Sequence, residues 1–418
     1  MSTTPLTRSQ KSAFAASFLG WTLDAFDFFL LVFVIPQISH GLSHPIPDIA
    51  LTITLTLAMR PVGAVLFGFL ADRYGRKPTL MLDILFYSIL EFLTGFSRSY
   101  KIFLILRILY GIGMGGEWGV GAALTMESVP LESRGILSGI LQEGYAVGYL
   151  LAALAYFFVF PHFGWRAMFW LGIIPAFLLF FILTQVKESP AWEKNARTEK
   201  KTLPQKPAQS ADIPEARWKK YIGLFFYTVI LMTAFNLMSH GTQDLYPIFL
   251  EKQRGFSIYE VTLTAVLYNI GGILGGIFFG YFSQKRGRKK AILVSTLIGI
   301  TAIPIWAFSP SKGVLILGAF ILQFFVQGAW GVIPAHLNEL SPPSARGTFP
   351  GFVYQLGNLL ASANAYFQAW MAAKLHGNFA VPLSLVAVIS MAAVALLTWI
   401  GPEAKEVNMQ PEIRLTEG

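Results

Sequence analysis

The chain is 418 residues long, 54% hydrophobic and only 13% charged, about half the charged share of a soluble domain, roughly 25%. That balance excludes an ordinary soluble enzyme or binding module and reads as an all-α polytopic membrane protein. Cysteine is absent, which excludes disulfides, thiolate metal sites and cysteine nucleophiles, and the net charge of +9 sits in short segments between alternate apolar runs, as the positive-inside rule requires, rather than on a nucleic-acid surface.

Apolar segments recur at 13–38, 49–70, 79–96, 102–126, 136–160, 167–185, 221–250, 261–282, 291–308, 314–336, 348–373 and 380–400. These predict twelve transmembrane helices, each near the roughly 20 residues that a bilayer needs. The first run is long and carries acids, so it reads as a retained span and not as a cleaved signal peptide. The loop 39–48 has no Lys or Arg, which puts it outside and both chain termini on the cytoplasmic side. One long polar stretch, 187–220, contains Pro204, Pro207 and Pro214 among many basic residues. It reads as a cytoplasmic linker between an N-terminal six-helix bundle (1–186) and a C-terminal one with a short tail (221–418).

A repeat supports two pseudo-symmetric bundles. Gly68-Phe-Leu-Ala-Asp-Arg-Tyr-Gly-Arg-Lys-Pro78 recurs as Gly280-Tyr-Phe-Ser-Gln-Lys-Arg-Gly-Arg-Lys-Lys290. At the same offset of 212 residues, Trp118-Gly-Val120 matches Trp330-Gly-Val332, and Glu127 with Arg134-Gly135 matches Glu339 with Arg346-Gly347. Parallel repeats of this kind mark a large class of secondary transporters with the substrate site between the halves.

Polar groups at bilayer depth are costly and face a wet cavity or a partner. In Asn236-Leu-Met-Ser-His-Gly-Thr-Gln-Asp244, the residues Asn236, His240 and Gln243 share one helical face, and Asp244 lies four past His240. The stretch is either a cavity wall or the solvated end of a helix leaving the membrane. Arg60 and Arg107 lie in or at the edge of apolar runs and suit a carboxylate ligand, because guanidinium binds it in bidentate geometry. A structural ion pair is the other reading for each, and Arg107, nearer the outer margin, also has room to snorkel. Asp24 and Asp27 share a face of the first span, and Glu117 and Glu143 sit among glycines of the fourth and fifth spans. Asp24, Asp27 and Glu117 are candidates for carrying a proton, and Glu117 and Glu143 are candidates for lining the cavity. Tyr145 and Tyr354, with Gln355 as a polar contact, are candidate cavity walls. Glu127, Arg134, Glu339 and Arg346 fall at the repeated Arg-Gly ends and read as gate or cap residues.

These landmarks resemble the major facilitator superfamily over nearly the whole chain. The loop from Gly68 to Pro78 resembles its signature between the second and third helices, although Gln284 stands in the second copy where the first has Asp72. The resemblance implies that Asp72, Arg73 and Arg76 hold the cytoplasmic side shut. Asn236 to Asp244 resembles the N-x-x-[ST]-H-x-[ST]-Q-D motif of lactate/pyruvate–proton symporters, a group beside the sialic acid–proton symporters; the motif's later Thr is Ile248 here. It implies proton-coupled uptake of a small monocarboxylate, with His240 and Asp244 tied to substrate or proton, and sialic acid or another organic acid as the alternative. The superfamily's proton-coupled sugar transporters suggest a switch in which Arg107 releases Asp27 to take a proton when substrate arrives. No enzyme is expected, since the spans hold no nucleophile–base set, metal cluster or phosphate loop. The expected partners are a small organic anion, a proton and the lipid bilayer of the plasma (cell inner) membrane, with no cofactor, no nucleic acid and a monomer as the working unit.

Overall fold

The structure, a computed structural model, describes residues 5–194 and 215–405 together with Val407 and Met409. Most of the expected linker, 195–214, lies outside the described residues. Among the described residues there are helices and no strands.

Local chemistry sets the helix boundaries. The first helix, α1 (Arg8–Phe33), opens on a capping box: Thr7 Oγ1 accepts from the Gln10 N–H at 3.3 Å, and Gln10 Oε1 accepts from the Thr7 N–H at 2.9 Å. Then come α2 (Ile35–Leu42), α3 (Ile46–Tyr74), α4 (Arg76–Thr94) and α5 (Tyr100–Ser128). The fifth span is α6 (Arg134–Gln142) and α7 (Gly144–Phe158), broken at Glu143; the sixth is α8 (Phe160–Trp170), a 3₁₀ stretch and α9 (Leu178–Gln185). The second half follows as α10 (Glu215–Gln243), α11 (Ile258–Arg286), α12 (Arg288–Ala307), α13 (Lys312–Trp330), α14 (Ile333–Leu340), α15 (Phe349–Ala361), α16 (Asn364–Lys374) and α17 (Ala380–Ile400). The turns α3–α4 and α11–α12 use the repeated Gly75 and Gly287 at φ +114° and +98°, a conformation open to glycine.

Among the described residues, ten helical segments are long and apolar enough to cross a membrane. The other two expected spans are present as helix but differ for chemical reasons. The helix α4 carries Arg76, Lys77, Asp83 and Glu91, and the eleventh span breaks between α15 and α16 around Ser362.

Close helix packing repeats as faithfully as the motifs do. In the first half α3 packs on α5, and a Cβ at Gly63 would collide with the Ile112 carbonyl. In the second half α11 packs on α13, and a Cβ at Gly275 would collide with the Phe324 carbonyl. Both residues of the second contact lie 212 positions after those of the first. Small residues let backbones approach where lipid supplies no hydrophobic drive. The halves meet chiefly where α6 lies on α11 and where α15 lies on α3 and α5.

Candidate substrate cavity and gate

Between the halves lies a cavity of about 570 Å³, in the range of small-molecule sites. Both halves build it. Its wall includes Arg60 of α3, Glu143 and Tyr145 at the α6–α7 break, Asn236, His240, Gln243 and Asp244 at the end of α10, and Tyr354 and Asn358 of α15. The Asn236–Asp244 stretch is therefore cavity wall. The His240 and Asp244 side chains are 39% and 38% exposed to the cavity and lie 3.2 Å apart, at the end of α10 remote from the linker.

Arg60 is the wall's distinctive charge. It is 3% exposed, and its Nε and Nη2 have no hydrogen-bond partner. Among the described residues it has no ion-pair partner either, and its guanidinium carbon stands 5.9 Å from the centre of the Tyr354 ring. Tyr354 is itself held between Trp118 at 4.7 Å and Trp330 at 5.5 Å. Tyr145 is braced by Trp21 at 5.4 Å and Phe29 at 5.2 Å. Gln243 is oriented by the Gln323 amide oxygen, which accepts from its Nε2 at 3.0 Å, while the Asn236 amide is turned back onto the Met232 carbonyl at 2.8 Å.

Other expected site residues lie elsewhere. Arg107 is fully buried, pairs with Glu91 of α4, and stacks 4.2 Å from the centre of the Tyr110 ring. It is not on the cavity wall, and its carboxylate partner is Glu91, not Asp27. Asp24, Asp27 and Glu117 are fully buried behind the wall, and their carboxylate oxygens have no hydrogen-bond partner. Gln355 is also buried behind it, with neither amide atom partnered. Sequence reasoning left Glu91 without a role and did not single out Asn358, Gln142 or Gln323. The spacing of Glu91 to Arg107, two residues on neighbouring helices, carries no signal of contact.

On the linker side the cavity is closed by a polar clasp. Asp72 accepts from the Gly347 N–H at 2.7 Å, the Thr348 N–H at 3.0 Å and the Thr348 hydroxyl at 2.7 Å. Arg76 donates to Asp72 at 2.9 Å and to both oxygens of Glu127 at 3.2 and 2.9 Å. The second half repeats the arrangement: Arg288 donates to both oxygens of Glu339 at 2.9 Å, and Gln284 accepts from the Gly135 N–H at 2.8 Å. Arg134 donates to the Met126 carbonyl at 2.9 Å and the Val407 carbonyl at 2.8 Å, with Glu339 3.9 Å away. Arg346 is buried with Nε unpartnered, whereas Arg73 is exposed and lies against Tyr74. Outside the spans, Glu188 accepts from the N–H groups of Arg76 and Lys77 at 3.0 and 3.1 Å. Burial pushes its carboxyl above the ordinary range despite these donors.

A cavity between two repeated helical bundles, closed at one end by matched clasps, is the architecture of a secondary transporter. The family model of the Major Facilitator Superfamily matches residues 17–257, and that of "Sugar (and other) transporter" matches 220–405. The chain belongs to the major facilitator superfamily, and it is a multi-pass membrane transporter and not an enzyme. It is 33% identical over 375 residues to the carboxylic acid transporter protein homolog of Saccharomyces cerevisiae, covering 86% of this chain and 61% of that protein. It is 29% identical to the sialic acid transporter NanX of Escherichia coli, covering 93% and 92%. In fold it is similar to the proton:xylose symporter XylE, with a TM-score of 0.79 at 19% identity over 94% of this chain and 96% of that one.

Proposed function

We propose that this transporter is a proton symporter for a small organic monocarboxylate, lactate or pyruvate in the first place, working by alternating access in the cell inner membrane with both termini cytoplasmic. The observation that carries the reading is Arg60, a buried cation on the cavity wall with two guanidinium nitrogens unpartnered. An unpaired charge in such surroundings costs several kcal/mol, and an arriving carboxylate offsets that cost. His240 and Asp244 face the same space from the other half and suit the hydroxyl or keto end of the substrate, or the proton. The yeast relative's name supports a carboxylic acid, and NanX supports sialic acid as the second reading.

Reconstituted protein with an inward proton gradient is expected to accumulate labelled lactate, and a protonophore is expected to abolish the accumulation. Preferential accumulation of labelled sialic acid would favour the second reading. Uptake of neither, or uptake that ignores the gradient, would overturn the proposal.

A further inference from the structure

The acids expected to carry a proton leave out the carboxyl that links the cavity to the moving interface. Glu143 interrupts the fifth span between α6 and α7 and is only 4% exposed. It lines the cavity, yet its Oε1 is buried without a hydrogen-bond partner. The carboxyl packs directly on Gly276 of α11, so closely that a Cβ there would strike it. Gly276 is also where the α6 backbone crosses: a Cβ on Gly139 would collide with the Gly276 carbonyl, and one on Gly331 would lie 2.5 Å from it. Parting α6 from α11, which any linker-side opening requires, uncovers Glu143.

The repeat supplies a comparison within the molecule. The residue 212 positions after Glu143 is Gln355, which has nearly the same shape. The second half thus fills the equivalent place with an amide, and the carboxyl in the first half adds a titratable proton without adding volume. Around the cavity the charged and titratable groups are Arg60 of α3, Tyr145 and Tyr149 of α7, His240 of α10 and Asp244 just past its end, Tyr268 of α11 and Tyr354 of α15. Arg134 lies on α6, and His336 and Glu339 lie on the neighbouring α14. Among the described residues, Glu143 forms an ion pair with none of them.

We propose that Glu143 carries the transported proton and that the α6–α11 interface senses its charge. This rests on the proton-symport reading above. The carboxylate takes one proton from the cavity side and becomes a neutral acid that Gly276 can cover. When the linker side opens, the same O–H bond breaks and the proton leaves to that side. In a bare carboxylate the Oε1 that packs on Gly276 has no donor, which opposes closure over it.

The first arm of the test needs no knowledge of the substrate. The chain has no native cysteine, so spin labels at Glu132→Cys and Lys285→Cys, both exposed and on opposite halves, report linker-side separation. Across about pH 5 to 8, the distance distribution is expected to shift in the labelled parent, to become pH-independent in Glu143→Gln, and to keep its shift in Glu143→Asp. In proteoliposomes, the ratio of gradient-driven lactate accumulation to lactate counterflow is expected to fall at least about tenfold in Glu143→Gln. A parent whose distances ignore pH, or a Glu143→Gln protein that keeps the parent's midpoint, would overturn the inference. If lactate and sialic acid both fail to accumulate while the pH-dependent shift still requires a carboxyl at 143, the symport reading and the transported proton fall together, and Glu143 stands only as the group whose charge the α6–α11 interface senses.

Discussion

Arg60 and Arg107 have the same side chain and similar burial but opposite surroundings. Arg107 meets Glu91 and the Tyr110 ring, so its charge is used within the protein. Arg60 meets an aromatic ring and open space, so its charge is available to a ligand. Charge-assisted hydrogen bonds contribute about 1.5–3 kcal/mol each. Arg60→Ala is therefore expected to weaken lactate binding by at least about tenfold and to abolish measurable uptake. Arg60→Lys keeps the charge but loses the planar fork, and should bind with intermediate affinity. Titration calorimetry on the purified protein would order the three; equal affinities would remove Arg60 from the site.

Helix packing explains why Arg60 can occupy that place. Its backbone lies against Gly115 of α5, where a Cβ would collide with the Arg60 carbonyl. In the second half the equivalent pair is Gly272 and Gln327, 212 residues on, and there Gln327 packs over Gly272. Large and small residues have exchanged helices, so one half presents a cation to the cavity and the other an amide. The shared contacts, Gly63 on Ile112 and Gly275 on Phe324, hold both pairs in register. Gly63→Ala and Gly275→Ala are each expected to destabilise the protein by about 1–3 kcal/mol through overpacking, seen as a lower melting temperature in detergent. Gly313→Ala, where a Cβ meets nothing within 4 Å, serves as the unchanged control.

At the scale of the whole molecule, the linker-side clasps tie the two halves together, and in the gate role proposed for them they set the balance between its open states. They are alike in plan but unequal in strength. Asp72 accepts three bonds from Gly347 and Thr348 with a full charge, whereas Gln284 accepts one from Gly135 with a neutral amide. A neutral bond contributes about 0.5–1.5 kcal/mol and a charged one about twice that. Asp72→Ala should thus shift the population toward the linker-side-open state by more than about tenfold, and Gln284→Ala by less. Labelling of single cysteines placed along the α3–α15 interface would measure both shifts. A larger effect from Gln284→Ala would reverse this ranking.

Much of the architecture was legible in the chain itself. Apolar run lengths gave the spans, because backbone groups in lipid must be satisfied within the helix. The 212-residue repeat gave two bundles, and the Asn236–Asp244 stretch was legible as a polar helical face. What sequence could not decide was which face meets which. Periodicity marks where polar residues point along one helix, but a partner such as Glu91 for Arg107, or Gly276 for Glu143, arrives from another helix at an unrelated spacing. The free arginine, the covered carboxyl and the closed end were decided by tertiary packing, since an ion's partners in a low-dielectric interior are whichever groups the fold brings within a few ångströms of it.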